Sequence, residues 1–165
     1  MLTAADAERF AASWYAAWNA HDLDGIMGHY AEAIEHSSPF IARYNGDAAC
    51  RPLHGKAAVR AYFGRALERN PALRFDPLHV AVGVASVALA YRRMTGELAL
   101  EAFELDGAGL VVRSTSHYGV ERSESVAFPA DQLDGLVVTT QPSSVTTSVA
   151  SVCATMPPDA SDSAG

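Results

Sequence analysis

The sequence has few cysteines and no long hydrophobic run. Cys50 and Cys153 are the only cysteines in 165 residues and lie over a hundred positions apart, so a disulfide framework has no support. No apolar run approaches the roughly 18 residues that a membrane-spanning helix needs, and the first residues lack the basic and apolar stretches of a secretory signal. We therefore expect a cytoplasmic protein with reduced cysteines.

Basic residues are also scarce. There are 12 Lys and Arg against 19 Asp and Glu, which gives a formal charge of −7. Such a chain offers no basic patch to release counterions from DNA or RNA, so nucleic acid is excluded as an expected partner. The six histidines form no H-x-x-x-H or H-E-x-x-H cluster. Neither a metal site nor another bound cofactor is expected.

The composition divides the chain into a body and a tail. With 49% hydrophobic residues, the chain has enough apolar side chains for one core. From Gln141 onward Ser, Thr, Pro and Ala dominate and aromatic residues are absent, which is typical of a chain that cannot offset its own ordering entropy. We predict one domain over 1–121 and a low-complexity, disordered tail over 122–165. The apolar stretch 136–140 leaves open one added strand.

The pattern of apolar residues predicts three helices followed by strands. Thr3 and Asp6 resemble a capping box before a first helix, Asp22 can cap a second helix ending near Ala31, and Gly55 precedes a third that ends at Asn70. Strands are predicted at 34–40, 72–80, 82–94, 97–105 and 110–121, with turns between the last four. The expected fold class is α+β, with the helices packed on one face of a curved antiparallel sheet.

Three segments of the body carry a resemblance to a known family. They read WYAAWNAHDLDGI at 14–26, EHSSPF at 35–40, and EAFELDGAG at 101–109, running on to His117-Tyr118-Gly119. Their sequence and order, over about residues 5–121, resemble the SnoaL-like branch of the nuclear transport factor 2-like (NTF2-like) superfamily. The resemblance implies a cone-shaped fold with an apolar pocket at one end, and homodimerisation through the sheet. The superfamily includes ketosteroid isomerases, polyketide cyclases and epoxide hydrolases.

The resemblance also shows where this sequence departs from the isomerases. In those enzymes an Asp base stands before a Pro after the second helix, and a Tyr with a protonated Asp forms the oxyanion hole. Here Trp14 stands in place of the Tyr, Ser38 in place of the base, and only Glu101 retains a carboxyl. Because a serine hydroxyl is not an effective base unaided, the known isomerase mechanism is not expected. The acid pair that epoxide hydrolases place around an Arg has no match near Arg113.

Strand alternation, combined with this resemblance, predicts which side chains face the pocket. Alternate residues of a strand share one face, so His36, Ser38 and Phe40 form one set, and Ala99, Glu101, Phe103 and Leu105 form another. His117 and Tyr118 have opposite parity, and we favour Tyr118 for the pocket. The predicted ligand-binding residues are Trp14, Trp18, Tyr30, Ser38, Phe40, Phe103, Ser116 and Tyr118.

Glu101 and His36 are the candidate catalytic residues. Apolar neighbours would disfavour the charged form of an inward-facing Glu101 and raise its pKa, which suits a proton shuttle. The alternative is a surface Glu101 paired with Arg92 or Arg93. His36 could supply a base near neutral pH, or be a structural histidine bonded to a backbone carbonyl.

Two functions remain open on the sequence. The first is a cofactor-independent isomerase, cyclase or hydratase that acts on a small apolar carbonyl compound by acid–base proton transfer. The second is a non-catalytic module that binds a small ligand or supports dimerisation. Loss of two of the three isomerase residues motivates the second, and an ionisable pair in an aromatic pocket motivates the first.

Overall fold

The computed structural model describes residues 1–46 and 51–119, which form four helices and six strands. The predicted tail over 122–165 and both cysteines lie outside the described residues. The elements, in chain order, are α1 Ala4–Asn19, α2 Leu23–Gly28, β1 Tyr30–Ser37, α3 Phe40–Asn45, β2 Leu53–His54, α4 Lys56–Arg69, β3 Phe75–Val82, β4 Ser86–Arg93, β5 Leu98–Leu105 and β6 Val111–Tyr118. The predicted α+β fold class is confirmed.

Local side-chain hydrogen bonds define the first two helices. The Thr3 hydroxyl accepts from the backbone N–H of Asp6 at 3.2 Å, and the Asp6 carboxylate accepts from the N–H of Thr3 at 2.9 Å. This is the predicted capping box, which satisfies two N–H groups that a helix start leaves unpaired. The Asp22 carboxylate likewise accepts from the N–H of Gly25 at 2.9 Å and begins α2.

Within residues 1–46 and 51–119, no helix is long and apolar enough to cross a bilayer.

The six strands form one curved sheet in the order β2-β1-β6-β5-β4-β3. Strands β3 to β6 form the predicted antiparallel meander. Strand β1 instead pairs with β6 in parallel, so the sheet is mixed rather than fully antiparallel. The parallel pairing arises because the helices between β1 and the meander carry the chain across the sheet before it returns.

The region between α2 and the residues before β2 differs most from the sequence prediction. The second helix ends at Gly28, not near Ala31, and β1 begins at Tyr30. Phe40, predicted to end a strand, begins the short helix α3. The sequence around Tyr30 is compatible with either a helix or a strand. In the structure Tyr30 pairs with Val111 on β6, and this segment is therefore a strand. Gly46, with φ of +69°, ends α3 in the left-handed region.

The core lies between α1 and the concave face of the sheet. Strand β5 alternates strictly between buried and exposed residues, as the sequence predicts. Its buried residues face the apolar side of α1, which contributes Trp14, Tyr15 and Trp18. The indole of Trp14 stacks on Phe75 with ring centroids 5.6 Å apart. Packing against α1 thus fixes which residues of the sheet can line a cavity.

Asn19, the last residue of α1, ties this helix to the start of β3. Its Nδ2 donates to the carbonyl of Phe75 at 3.0 Å, and its Oδ1 accepts from the N–H of Phe75 at 2.8 Å. The side chain therefore satisfies both polar backbone groups of one buried residue. Phe75 in turn contacts the rings of Trp14 and Trp18.

We predict that Asn19→Ala lowers the free energy of unfolding by about 2 kcal/mol, because two hydrogen bonds to a buried residue are lost. Urea denaturation followed by circular dichroism measures the change. Asn19→Asp keeps the acceptor but sets a carboxylate oxygen against the Phe75 carbonyl, so it should lose at least as much stability as Asn19→Ala. Equal stability of Asn19→Ala and the parent would show that these two bonds do not hold β3.

Candidate functional site

A cavity of about 70 Å³ lies on the concave side of the sheet, walled by α1, α4 and strands β4 to β6. Ten aromatic side chains surround it. Its polar wall residues include Glu101, His36, Ser116 and Arg93. The aromatic residues of the wall are Trp14, Trp18, Tyr30, Phe40, Tyr44, Tyr62, Phe63, Phe75, Tyr91 and Tyr118. The space suits a small and mostly apolar guest with a few polar groups.

Glu101 faces inward from β5 and is 7% exposed. The hydroxyl of Tyr91 donates to its Oε1 at 3.2 Å, and Ser116, its partner across β6, also contributes a hydrogen bond. Burial disfavours the carboxylate and raises the pKa of Glu101 to about 7, although both hydroxyls partly oppose this rise. Glu101 can therefore hold or release a proton near neutral pH.

The alternative of a surface Glu101 paired with Arg92 or Arg93 is wrong, because Glu101 is buried. Arg92 is exposed and donates to the carbonyl of Gly96 at 2.8 Å. Arg93 donates to Glu97 at 2.6 Å, and its guanidinium lies over the ring of Tyr118 at 5.2 Å from the centroid. Strand parity thus places Arg93 beside the cavity and leaves Arg92 on the outer face.

His36 is buried in the opposite part of the wall and is 2% exposed. Its Nδ1 lies 2.8 Å from the hydroxyl of Ser114, while its Nε2 has no hydrogen-bond partner. Burial lowers the pKa of His36 to about 3, so the ring is neutral at pH 7. The expectation that His36 titrates near working pH is therefore wrong, since desolvation disfavours the imidazolium. It is also not bonded to a backbone carbonyl.

The two tryptophans of α1 differ in what their N–H groups contact. Trp14 Nε1 donates to the hydroxyl of Tyr30 at 3.1 Å, and burial raises the pKa of that phenol. Trp18 Nε1 is enclosed in the wall without a partner. Only Trp14 has thus used its single donor within the protein.

The remaining predicted residues divide between the wall and its surroundings. Phe40, Ser116 and Tyr118 line the cavity, and His117 is exposed on the outer face. Burial raises the pKa of Tyr118, which keeps its phenol protonated.

Two predicted residues do not line the cavity. Ser38 is buried, and its hydroxyl accepts from the Tyr62 hydroxyl and the Phe40 N–H, both at 3.2 Å. Phe103 packs against Phe10 and Trp14 within the core. Phe103 has the expected inward parity on β5, whereas Ser38 lies just beyond the end of β1.

Sequence reasoning missed Tyr91 and Tyr62 as wall residues. Tyr91 shares the inward parity of Val87 and Leu89 on β4, so strand alternation could have found it. Tyr62 lies on the buried face of α4, and the sequence does not reveal that its hydroxyl reaches Ser38 across the fold. Among residues 1–46 and 51–119, no group of three His, Cys, Asp or Glu side chains is placed to hold a metal ion.

The raised pKa of Glu101 predicts a dependence of stability on pH. The folded state binds this proton more tightly than the unfolded chain, whose pKa is near 4.5, so the parent loses stability as pH rises from about 4.5 to about 7. We expect Glu101→Gln to match the parent near pH 4 and to exceed it by about 3 kcal/mol at pH 8. Denaturant titrations at several pH values measure this difference. Ala102→Ser, on the exposed face of β5, adds no titratable group and is the control, which should keep the pH dependence of the parent. A constant difference for Glu101→Gln would contradict the prediction.

Comparison with known proteins identifies the fold and the family. A SnoaL-like domain model matches residues 11–127. A SnoaL-like protein of unknown function from Burkholderia thailandensis is 42% identical, with 73% of this chain and 100% of that chain covered and a TM-score of 0.67. No protein among those with curated descriptions matches significantly.

Two more distant structures share the fold. A candidate isomerase of the SnoaL-like family from Agrobacterium tumefaciens is 15% identical over 70% of this chain and 99% of its own, with a TM-score of 0.57. SalBIII, an epoxide hydrolase/cyclase-like enzyme in pyran ring formation of the polyether salinomycin, is 20% identical over 72% and 95%, with a TM-score of 0.55. On the domain match and the similarity to the Burkholderia protein, this chain belongs to the SnoaL-like family of NTF2-like proteins.

Proposed function

We propose that this protein is a cofactor-independent isomerase, cyclase or hydratase that transfers protons on a small, mostly apolar carbonyl compound. The observation that carries the proposal is the carboxyl of Glu101, buried in an aromatic cavity wall with its pKa raised to about 7. A general base works best when its pKa lies near the working pH, because it is then both available and strong enough. The fold relatives described as isomerase and as hydrolase/cyclase-like support this class of chemistry.

In the proposed reaction, the Glu101 carboxylate removes a proton from the carbon next to the substrate carbonyl. The C–H bond breaks, its electron pair forms a carbon–carbon double bond, and the carbonyl oxygen becomes an enolate oxygen. In this proposal Tyr118, whose protonated phenol lies in the same wall, donates to that oxygen. Glu101, now a carboxylic acid, returns the proton to the same or another carbon, which completes an isomerisation and restores the base.

The second candidate is ligand binding without turnover. It is supported by Ser38, which stands where the isomerases have their base and whose hydroxyl is already engaged by Tyr62. A protein of this kind would use the same cavity and bind the same class of small apolar carbonyl compound. Proton exchange between ligand and solvent separates the two candidates.

We predict that the protein catalyses exchange of the α-protons of small enolisable ketones for deuterium in D₂O, measured by proton NMR. The value of kcat/KM for exchange should rise with pH and level off above about 7, since Glu101 must be ionised to act as the base. Glu101→Gln should lower it by roughly a hundredfold or more, because an amide cannot accept the proton.

Glu104→Gln, on the outer face of the same strand, is the control and should keep the parent rate. Exchange by Glu101→Gln at the parent rate would remove Glu101 from catalysis. If the ketones bind and no variant accelerates exchange, ligand binding without turnover is the better description.

We further propose that the outer face of the sheet mediates homodimerisation. Leu98 and Leu100 on β5 are 44% and 45% exposed. The neighbouring outward residues Ala102 and Ala88 are small and exposed, which leaves a flat apolar patch that a second copy of the chain could cover.

We expect Leu100→Lys to convert the dimer to a monomer, because it places a charge at the centre of this patch. Light scattering coupled to size-exclusion chromatography measures the mass. Ala61→Lys, on the exposed side of α4, should remain dimeric. A monomeric parent, or a dimeric Leu100→Lys, would exclude this interface.

A further inference from the structure

Two buried nitrogen atoms of the cavity wall lack a hydrogen-bond partner. They are Nε1 of Trp18 and Nε2 of His36, and their residues are 5% and 2% exposed. Among the described residues, only Arg65 contributes another such side-chain atom. A buried polar group without a partner costs about 1–3 kcal/mol, and native proteins rarely retain one without a reason. The occurrence of two in one cavity suggests that a ligand supplies the missing partner.

Trp18 and His36 both pack edge-on against Phe63, with ring centroids 4.9 Å and 5.1 Å from it. Glu101 is paired with Ser116 on β6, whereas His36 is paired with Ser114. The two pairs are separated by two residues of β6, or about 7 Å along the strand. Along β6, the His36 pair thus marks one end of the cavity and the Glu101 pair the other.

The chemistry of the unpartnered end defines what it can bind. Trp18 Nε1 is only a donor. His36 Nε2 carries a proton or a lone pair depending on the tautomer that Ser114 selects at Nδ1. In one tautomer of His36 both nitrogens are donors suited to a carbonyl oxygen, and in the other His36 Nε2 accepts from an enol hydroxyl. Because His36 is neutral, neither of these two nitrogens carries a charge to balance a buried anion.

We propose that Trp18 and His36 form a second subsite that binds an uncharged oxygen function of the substrate, so that the substrate is a compound with two carbonyl or enol groups. This inference rests on the proposed function for the role of Glu101 at the other end. One carbonyl is activated beside Glu101, and the other is held at Trp18 and His36. The second oxygen orients the substrate and is not itself transformed.

Two probes of nearly equal shape test the subsite. Para-diacetylbenzene has two carbonyl groups, and para-isopropylacetophenone replaces one of them with an apolar group of similar size. We expect calorimetry to show roughly fivefold to tenfold tighter binding of the diketone, as one neutral hydrogen bond provides. Trp18→Phe should abolish this preference. Glu104→Gln, on the exposed outer face of β5, is the control and should retain it.

Proton–nitrogen NMR gives a second readout. The chain has two tryptophans and hence two indole N–H signals, and Trp18→Phe identifies the signal of Trp18. The diketone should shift the Trp18 proton downfield, whereas the isopropyl probe should not. Equal affinity for the two probes, including no measurable binding of either, or a preference that survives in Trp18→Phe, would overturn the subsite.

Binding is measured without turnover, so the two proposals can fail separately. Glu101→Gln should keep the preference for the diketone even though it loses exchange activity. If the protein prefers the diketone but neither the parent nor any variant catalyses exchange, the subsite stands and the catalytic function is wrong. If exchange depends on Glu101 but the diketone is not preferred, the catalytic function stands and the subsite is wrong.

Discussion

The exclusion of water from the Glu101 carboxyl is the constraint on which the candidate site depends. Strand alternation turns Glu101 toward the concave face of the sheet, where aromatic rings from α1, α4 and β4 take the place of solvent. The hydroxyls of Tyr91 and Ser116 provide hydrogen bonds but do not compensate fully for lost hydration. A carboxyl that would be ionised on the surface is therefore poised between its two protonation states near neutral pH.

The polar groups of the cavity wall weaken the fold. An ionised buried carboxyl, an imidazole Nε2 and an indole N–H each lack adequate partners, and each reduces the stability of the folded state. The aromatic packing around them supplies the compensation, with Trp14 alone contacting Tyr15, Trp18, Phe75, Tyr91 and Phe103. The same face of the sheet thus carries both the main stabilising contacts and the groups that oppose them.

The family fold is retained while its polar groups are redistributed. Trp14 has its N–H bound to Tyr30, so the phenol at this part of the cavity comes from β1 rather than from α1. Ser38 is held by Tyr62 and does not line the cavity. A shared fold therefore fixes the position of the cavity, while individual side chains decide its chemistry.

The sequence by itself determined the locations of helices α1, α2 and α4, the four-stranded meander and the set of β5 residues that share a face with Glu101, because these depend on local periodicity, capping and turn residues. It did not determine the short elements α3 and β2, and the inward direction of Glu101 came from the family resemblance. The sequence also indicated that Tyr118, and not His117, belongs to the cavity. The parallel pairing of β1 with β6, the neutral state of His36 and the exclusion of Phe103 and Ser38 from the wall were decided by the tertiary structure alone. Each of these depends on contacts between residues far apart in the chain: His36 and Ser114 are 78 positions apart, and no local pattern shows that they meet. The degree of burial that sets the pKa of Glu101 is likewise a property of the assembled core, since water is excluded only once helices and sheet have packed together.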